Sequence, residues 1–246
     1  MSIKNAEELR GMQRVGRLVA RTLQVLGEHV RSGISTGKLD EIAAAEFRRA
    51  GATSGPAELV GFPATICVSV NEEVVHGVPG PRRLREGDLV TLDVTPLLDG
   101  FCADAAVTAC VGRPRPGARR LLRAADACLR DALAATITGA PLSAIGAACE
   151  RAARTHGATV YPELCGHGLG RTMHEPPSVP NVELAHLGHR LADGLVLAVE
   201  PMLGLGGRAL EVRADGWTIA TADGSLAAHV EHTVVVGAPH PLVLTD

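Results

Sequence analysis

The sequence contains the stretch Glu86-Gly-Asp-Leu-Val-Thr-Leu-Asp93 and, later, the similar stretch Asp193-Gly-Leu-Val-Leu-Ala-Val-Glu200. In each stretch an acid and a glycine precede an apolar run, and a carboxylate ends the run. Short apolar runs that begin at a glycine turn are typical of buried β-strands. The two stretches therefore predict two equivalent strands, each ending in an acid.

A pair of predicted helices precedes each strand. In the first helix, apolar residues recur at helical spacing, at Leu9, Met12, Val15, Val19, Leu23 and Leu26. The predicted helices span residues 6–30 and 38–50 in the first half and residues 116–138 and 142–156 in the second. Gly51 and Gly157 stop the second helix of each pair at equivalent positions. Two Ala-rich helix pairs can also resemble each other by chance, but the acids that end both strands favour an internal repeat.

This repeat predicts an α+β fold with two pseudo-symmetric αβ halves. If the halves face each other, both strands reach one central cleft, in a central antiparallel sheet with helices packed on its outer face. No linker or low-complexity segment separates the halves. We therefore expect residues 1–246 to form a single domain.

The composition limits the partners and the location of the chain. With 246 residues, 46% of them apolar, the chain can bury a large core. Its net charge of −3 gives no electrostatic reason to bind DNA or an anionic membrane. The sequence lacks both an apolar run of the roughly 18 residues that a membrane span needs and an apolar N-terminal signal. We expect a cytoplasmic monomer whose six cysteines are reduced.

Two aspartates are predicted to meet in a β-hairpin. Apolar and polar residues alternate around Asp93, which places it on the polar face of its strand. Asp99-Gly100 marks a turn, and a four-residue loop at 97–100 places Asp93 directly opposite Asp104, with Cβ atoms roughly 5 Å apart. Two carboxylates at that distance repel unless one is protonated or a cation lies between them. A solvated face with a slipped register is the alternative, but the apolar surroundings of Asp93 favour a metal.

The second half supplies further candidate ligands. The segment Cys165-Gly-His-Gly-Leu-Gly-Arg-Thr-Met-His174 places two histidines among three glycines, which let the backbone approach a ligand closely. Glu200 ends its strand, and Glu231 opens a β-branched strand, so both acids are expected at the cleft. Each of these residues alone has an ordinary explanation as a solvated or hydrogen-bonded side chain.

Together, the candidate ligands have the chemistry of a metal centre. Four carboxylates and one imidazole suit Mn²⁺, Fe²⁺ or Co²⁺, and the set lacks the thiolates of a structural zinc site. Such shells can hold two metal ions roughly 3.5–4 Å apart. Ser178 interrupts the H-E-x-x-H zinc motif after His174-Glu175, and the glycine-rich segment lacks the Lys-Ser/Thr of a phosphate loop.

The motifs of this chain resemble those of type I methionine aminopeptidases, which have the pita-bread fold, over essentially the whole length. The matching segments are Asn71-Glu-Glu-Val-Val-His76-Gly-Val-Pro79, Leu92-Asp93-Val94-Thr95 followed by Asp104, Cys165-Gly-His167 to His174-Glu175-Pro176, Val199-Glu200-Pro201-Met202 and Val230-Glu231-His232-Thr233. The resemblance implies that Asp93, Asp104 and Glu231 bind one divalent metal ion. It implies that His167, Glu200, Asp104 and Glu231 bind a second, with Co, Mn or Fe as the expected metals and Zn or Ni as alternatives.

The resemblance also implies an activity. The enzyme would remove the N-terminal methionine from nascent proteins when the second residue is small, by metal-activated water attack on the first peptide bond. The implied catalytic residues are His76 and His174, which contact the substrate, and Glu200, which transfers a proton. The implied methionine pocket consists of Leu59, Phe62, Cys67, Met173 and Trp217. A transient association with the ribosome is compatible with this role.

Some residues depart from the family pattern. The family usually has Gly-Asp-Thr-Ser where this chain has Ala103-Asp104-Ala105-Ala106, so hydroxyls near Asp104 are missing, which weakens the expectation of tight metal binding. His229 stands where glutamine is common. Two other activities stay open: an Xaa-Pro aminopeptidase or prolidase, which usually has a separate N-terminal domain, and a non-enzymatic binding protein of the same fold, which would have lost ligands.

Overall fold

The computed structural model describes residues 1–184 and 189–246, which contain five α-helices and seventeen β-strands. The helices are α1 (Ala6–His29), α2 (Thr36–Ala50), α3 (Gly55–Val60), α4 (Pro116–Ala135) and α5 (Ser143–His156). The strands are β1 (Thr53–Ser54), β2 (Cys67–Val70), β3 (Glu73–Val75), β4 (Leu89–Val94), β5 (Pro96–Leu98), β6 (Phe101–Cys102), β7 (Ala105–Cys110), β8 (Thr159–Val160), β9 (Cys165–Gly168), β10 (Glu175–Pro180), β11 (Val196–Val199), β12 (Met202–Gly204), β13 (Leu210–Val212), β14 (Ile219–Thr221), β15 (Ala227–His229), β16 (His232–Val235) and β17 (Leu242–Val243).

The four long helices are those that the sequence predicts, with small differences at their ends. Gly51 and Gly157 end α2 and α5 in the left-handed conformation, with φ of 72° and 63°. α4 ends at Ala135, three residues before the predicted end, because Thr136 leaves the helical conformation and its hydroxyl donates to the Ala132 carbonyl at 2.8 Å. The short helix α3 was not predicted; Ser54 caps it by accepting a hydrogen bond from the Ala57 N–H.

Two antiparallel sheets form the centre of the molecule, one from each half. Their strand orders are β2-β4-β7 and β10-β9-β11-β16-β17. The sheets join where the Glu231 N–H donates to the Ala106 carbonyl at 2.9 Å. Beside this bond the Asp104 N–H donates to the Thr233 hydroxyl at 2.8 Å, and that hydroxyl donates to the Asp104 carbonyl at 2.7 Å. The repeated strands β4 and β11 therefore occupy corresponding positions, each between two neighbours.

Apolar packing fixes which face of each central strand points to the helices. Leu92 and Val94 of β4 lie in one buried cluster with Val15 and Val19 of α1. Because side chains alternate across a strand, Asp93 points to the opposite face of the sheet. α4 and α5 cover the second half in the same way and contribute to a separate buried cluster. The helices thus cover the apolar face of the central strands, and the acidic face lines the cleft.

The register predicted for the first hairpin is wrong. Asp99 and Gly100 form a two-residue turn in which Leu98 pairs with Phe101, and Asp93 pairs with Ala106 rather than with Asp104. Asp99 and Gly100 have φ of 52° and 74°, and positive values at both positions suit the type I′ turn that Asp-Gly favours. Asp104 therefore lies diagonal to Asp93, on the same face of the sheet, so the two carboxylates still converge.

Among residues 1–184 and 189–246, no helix has both the length and the apolar character needed to cross a bilayer. The six cysteines are free thiols, as predicted; four are buried, while Cys165 is exposed.

Candidate metal centre and substrate cleft

A cleft of about 660 Å³ lies between the two halves, and all five predicted metal ligands line it. Asp93 comes from β4, and Asp104 directly precedes β7. Glu200 and Glu231 take the corresponding places in the second half, after β11 and before β16. His167 belongs to β9, the neighbour of β11. The structure thus brings together ligands that are as far apart in the chain as residues 93 and 231.

The carboxylates of this cleft are almost removed from solvent. The exposed fractions of Asp104, Glu200 and Glu231 are 6%, 9% and 2%. Burial raises the pKa of Asp93, Glu200 and Glu231 well above its usual range, and the charges of the neighbouring acids raise it further. Burial also raises the pKa of Asp104, although hydrogen bonds oppose the shift. Four ionised acids in this space require positive charge among them.

His167 is positioned to offer a nitrogen lone pair to a cation. Its Nδ1 lies 3.0 Å from the Gly168 carbonyl oxygen, which can only accept, so the Nδ1 proton is donated there. Burial lowers the pKa of His167 to about 4, and the ring is neutral at pH 7. Its Nε2 therefore carries a lone pair 3.3 Å from Glu200 Oε1. A neutral imidazole whose other nitrogen is hydrogen-bonded is the usual form of a histidine metal ligand.

Orphaned polar atoms test whether the residues fit a metal ion. Glu231 Oε1 and both ring nitrogens of His229 are buried and find no hydrogen-bond partner among the described residues. Two groups of donor atoms lie close enough together to hold a cation: Asp104, His167 and Glu231 form one, and Glu200, His229 and Glu231 form the other. Since buried polar atoms are nearly always paired, this oxygen- and nitrogen-rich cluster fits divalent cations.

Several supporting residues were missed in the sequence. The Thr95 hydroxyl donates to Asp104 Oδ1 at 2.7 Å, which supplies the hydroxyl contact that Ala105 and Ala106 cannot provide. Asn181 Nδ2 donates to the Glu200 carbonyl at 2.9 Å and fixes the main chain of that acid. Thr95 directly follows β4 and lies two residues after Asp93, so its place on the same acidic face was readable. No strand periodicity in the sequence indicated a role for Asn181.

Apolar side chains form the walls of the cleft above the acids. Phe62 and Trp217 meet edge to face, with ring centroids 5.3 Å apart, and Cys67 and Met173 line the same space. Leu59 does not match its prediction as a wall residue. It is 42% exposed and absent from the lining of the cleft, to which its segment contributes Pro56, Val60 and Phe62. Leu59 lies near the end of the unpredicted helix α3, with its side chain turned to the outside.

The two predicted substrate-contacting histidines also line the cleft. The ring of His174 stands edge-on to that of His167, with centroids 4.4 Å apart. His76 has a φ of 57°, an uncommon left-handed conformation. Although His76 retains contact with solvent, desolvation by the surrounding protein lowers its pKa to about 4. Both rings can therefore offer a neutral N–H to a substrate at pH 7.

Comparisons with known proteins agree with this site. The model of metallopeptidase family M24 matches residues 10–238. A methionine aminopeptidase from Treponema pallidum is 43% identical, and the alignment covers 99% of this chain and 96% of the relative. The crystal structure of methionine aminopeptidase from Rickettsia prowazekii superposes with a TM-score of 0.96 at 32% identity, with both chains covered completely.

A more distant similarity concerns the fold alone. The structure of an Xaa-Pro dipeptidase from Bacillus anthracis superposes with a TM-score of 0.79 at 20% identity, and this chain covers 62% of its length. The expected pita-bread fold is confirmed by these superpositions. The chain belongs to metallopeptidase family M24 and, within it, to the methionine aminopeptidases.

Proposed function

We propose that this chain removes the N-terminal methionine from nascent proteins when the second residue is small. The observation that carries the proposal is the convergence of Asp93, Asp104, Glu200 and Glu231 with His167 at the floor of one apolar-walled cleft. The names of the similar proteins, which cover nearly the whole chain, support the same activity.

The cluster would hold two divalent cations, with Asp104 and Glu231 shared between them. Asp93 would complete the ligands of one cation, and His167 and Glu200 would complete those of the other. Co, Mn or Fe suit this donor set, with Zn or Ni as alternatives. When bound, such cations lower the pKa of water towards about 7 and polarise a carbonyl group.

Three side chains would then act on the peptide. Glu200, whose pKa burial raises well above its usual range, can take a proton from the attacking water and pass it to the leaving amine. The His174 N–H would donate to the carbonyl oxygen as negative charge develops on it, and His76 would hold the scissile amide. Asn181 Nδ2 donates to the Glu200 carbonyl at 2.9 Å, so the main chain of the proton carrier is held in place at the cleft floor.

The walls of the cleft give a reason for methionine selectivity. Phe62, Cys67, Met173 and Trp217 enclose an apolar space beside the acids. Asp215 Oδ1 accepts hydrogen bonds of 2.8 Å from the N–H groups of Trp217 and Thr218, which fixes the turn that carries the indole. An unbranched thioether side chain fits such an aromatic, sulfur-lined pocket. Such a pocket separates side chains that differ by one methylene by only about 1–3 kcal/mol, so slow removal of other unbranched residues accompanies the main activity.

Further proposals concern the context in which the enzyme works. Residues 1–246 act as one catalytic domain, since the ligands come from both halves and neither half holds the complete set. The protein is a cytoplasmic monomer that associates transiently with the ribosome, where nascent N-termini emerge. Equilibrium sedimentation and co-sedimentation with ribosomes measure the last two properties directly.

A peptide assay tests the proposed activity against its alternatives. With Mn²⁺ or Co²⁺ added, we expect release of methionine from Met-Ala-Ser and no cleavage of Ala-Pro peptides, because the pocket suits methionine and the similar proteins are named methionine aminopeptidases. Cleavage only before proline would identify an Xaa-Pro peptidase. The absence of cleavage with every metal would identify a non-enzymatic protein.

Metal binding is expected to release protons. The pKa values of Asp93 and Glu200 are higher in the metal-free fold than in the unfolded chain, where they are about 3.8 and 4.5. These raised pKa values stabilise the metal-free fold at a pH below the unfolded-state pKa values. The stabilisation is lost as the pH rises through the folded-state pKa values. A cation binds the ionised carboxylates and displaces their protons, so its apparent affinity rises about tenfold per pH unit for each proton released. His167, with a pKa of about 4, adds no proton above pH 6. Calorimetry at one pH in two buffers of different ionisation enthalpy counts the protons; equal heats would contradict this expectation.

A further inference from the structure

His229 is a buried imidazole beside the acidic cluster to which no role has been assigned so far. It ends β15, is 1% exposed and lines the cleft. Its Nε2 lies 3.3 Å from Glu200 Oε2 and 3.7 Å from Glu231 Oε2. Neither contact forms a hydrogen bond, and both ring nitrogens are without a partner among the described residues.

The main chain of His229 is held firmly, although its ring is not. The His229 N–H donates to the Thr108 hydroxyl at 2.9 Å, and that hydroxyl donates to the His229 carbonyl at 2.7 Å. Thr91 Oγ1 lies 2.7 Å from Thr108 Oγ1 and continues this chain of hydroxyls into β4. The ring is thus directed at the acids from a fixed position. A buried imidazole with two unused nitrogens is costly unless something absent from the protein chain pairs with it.

The placement of His229 mirrors that of His167. His167 Nε2 lies 3.3 Å from Glu200 Oε1, and His229 Nε2 lies 3.3 Å from Glu200 Oε2. Donor atoms that each lie about 2.0–2.2 Å from one metal ion, at tetrahedral to octahedral angles, are about 2.8–3.6 Å apart. The distance of His229 Nε2 to Glu200 fits this range, and its distance to Glu231 is close to it. His229 with Glu200 and Glu231 accordingly forms a second group of donors beside that of Asp104, His167 and Glu231.

We propose that His229 is an additional ligand of the metal centre and binds, through Nε2, a cation shared with Glu200 and Glu231. This inference rests on the proposed metal-dependent function and deepens it. The centre then has two imidazole ligands, His167 and His229, one beside each carboxylate oxygen of Glu200, instead of His167 alone. A second nitrogen donor raises the affinity for Co²⁺, Ni²⁺ and Zn²⁺ more than that for Mn²⁺, which prefers oxygen ligands.

The relative affinity for Ni²⁺ and Mn²⁺ shows whether His229 binds the metal itself or only positions Glu200. His229→Gln keeps a polar side chain of similar reach and removes the imidazole. We expect the Ni²⁺ affinity of this variant, measured by calorimetry, to fall about 10-fold or more relative to that for Mn²⁺. His232→Gln is the matched control, because His232 is a partly buried histidine whose Nδ1 contacts Thr245 Oγ1 at 2.9 Å; its Ni²⁺ to Mn²⁺ ratio stays as in the wild type. An unchanged ratio in His229→Gln would overturn the proposal.

An Asp104→Asn variant distinguishes failure of the proposed metal centre from failure of the proposal that His229 is one of its ligands. If the metal centre exists and His229 is not a ligand, Asp104→Asn weakens binding of both metals while His229→Gln leaves their ratio unchanged. If Asp104→Asn has no effect on either metal, the centre itself is misplaced, and both proposals fail.

A measurement on the wild-type chain covers the case in which His229→Gln does not fold. Protein containing ¹⁵N-labelled histidine is loaded with Cu²⁺, and pulsed electron paramagnetic resonance counts the coordinated imidazoles from their nitrogen couplings. The proposal predicts two imidazoles. Coupling to one imidazole overturns it.

Discussion

Asp104→Asn is expected to lower kcat/KM for Met-Ala-Ser by about 1,000-fold or more, equivalent to about 4 kcal/mol of transition-state stabilisation. Asp104 stands at the junction of the two sheets, where its backbone is tied to Thr233 and its Oδ1 to Thr95. The amide has nearly the same shape as the carboxylate but lacks its charge. The shared ligand of the proposed cation pair is therefore weakened without a change in packing.

Two measurements separate lost metal binding from misfolding. Elemental analysis after dialysis against Mn²⁺ should give two equivalents for the wild-type chain and fewer for Asp104→Asn, while the circular dichroism spectrum stays the same. Asp126→Asn is the matched control, because Asp126 lies exposed on α4, outside the lining of the cleft. Full activity and full metal content in Asp104→Asn would contradict the role proposed for this aspartate.

His174→Ala is expected to lower kcat by about 10²–10³-fold and to change KM little. The reason is that the His174 N–H is proposed to donate to the peptide oxygen mainly when negative charge develops on it, and the loss of one such donor has this size of effect. Among residues 1–184 and 189–246, His174 belongs to none of the donor groups that could hold a cation, so the metal content should not change. Steady-state kinetics with Met-Ala-Ser, together with metal analysis, checks both expectations.

A conservative variant strengthens this test. His174→Gln retains an N–H donor, and we expect it to recover part of the kcat that His174→Ala loses. If His174→Ala instead raises KM and leaves kcat unchanged, His174 contributes to binding of the ground state, and its proposed role in the transition state is wrong.

The internal repeat made much of the fold predictable. The helix pairs and the strands that end in Asp93 and Glu200 are local features, since periodicity, glycine stops and a terminal acid are visible in short windows of sequence. Because the two strands are equivalent, their terminal acids indicated that the two halves would meet at one central cleft. The short helix α3 was missed because its six residues are too few to show a helical period, and with it the outward direction of Leu59 was missed.

The hairpin shows what a local pattern could not decide. Asp99-Gly100 marked the turn, but loop length sets the register, and the two-residue turn shifted Asp93 from Asp104 to Ala106. The carboxylates converge nevertheless, because a shift of two residues keeps a side chain on the same face of a sheet.

His229 was beyond sequence reasoning for a different reason. The residues around it come from β4, from β7, from the end of β11 at Glu200 and from the segment before β16, and no short window contains them all. The sequence marks it only as an unusual residue two positions before Glu231. Its relation to Glu200 depends on the long-range pairing of β12 with β15, in which Met202 lies opposite His229.

The central claim is that two divalent cations lie among Asp93, Asp104, Glu200 and Glu231 and relieve the repulsion between these acids. Anomalous X-ray scattering from crystals soaked in Mn²⁺ tests it most directly. The claim predicts two anomalous peaks roughly 3.5–4 Å apart, both within bonding distance of Asp104 and Glu231. A crystal in which Mn²⁺ scatters only outside this cleft would contradict it.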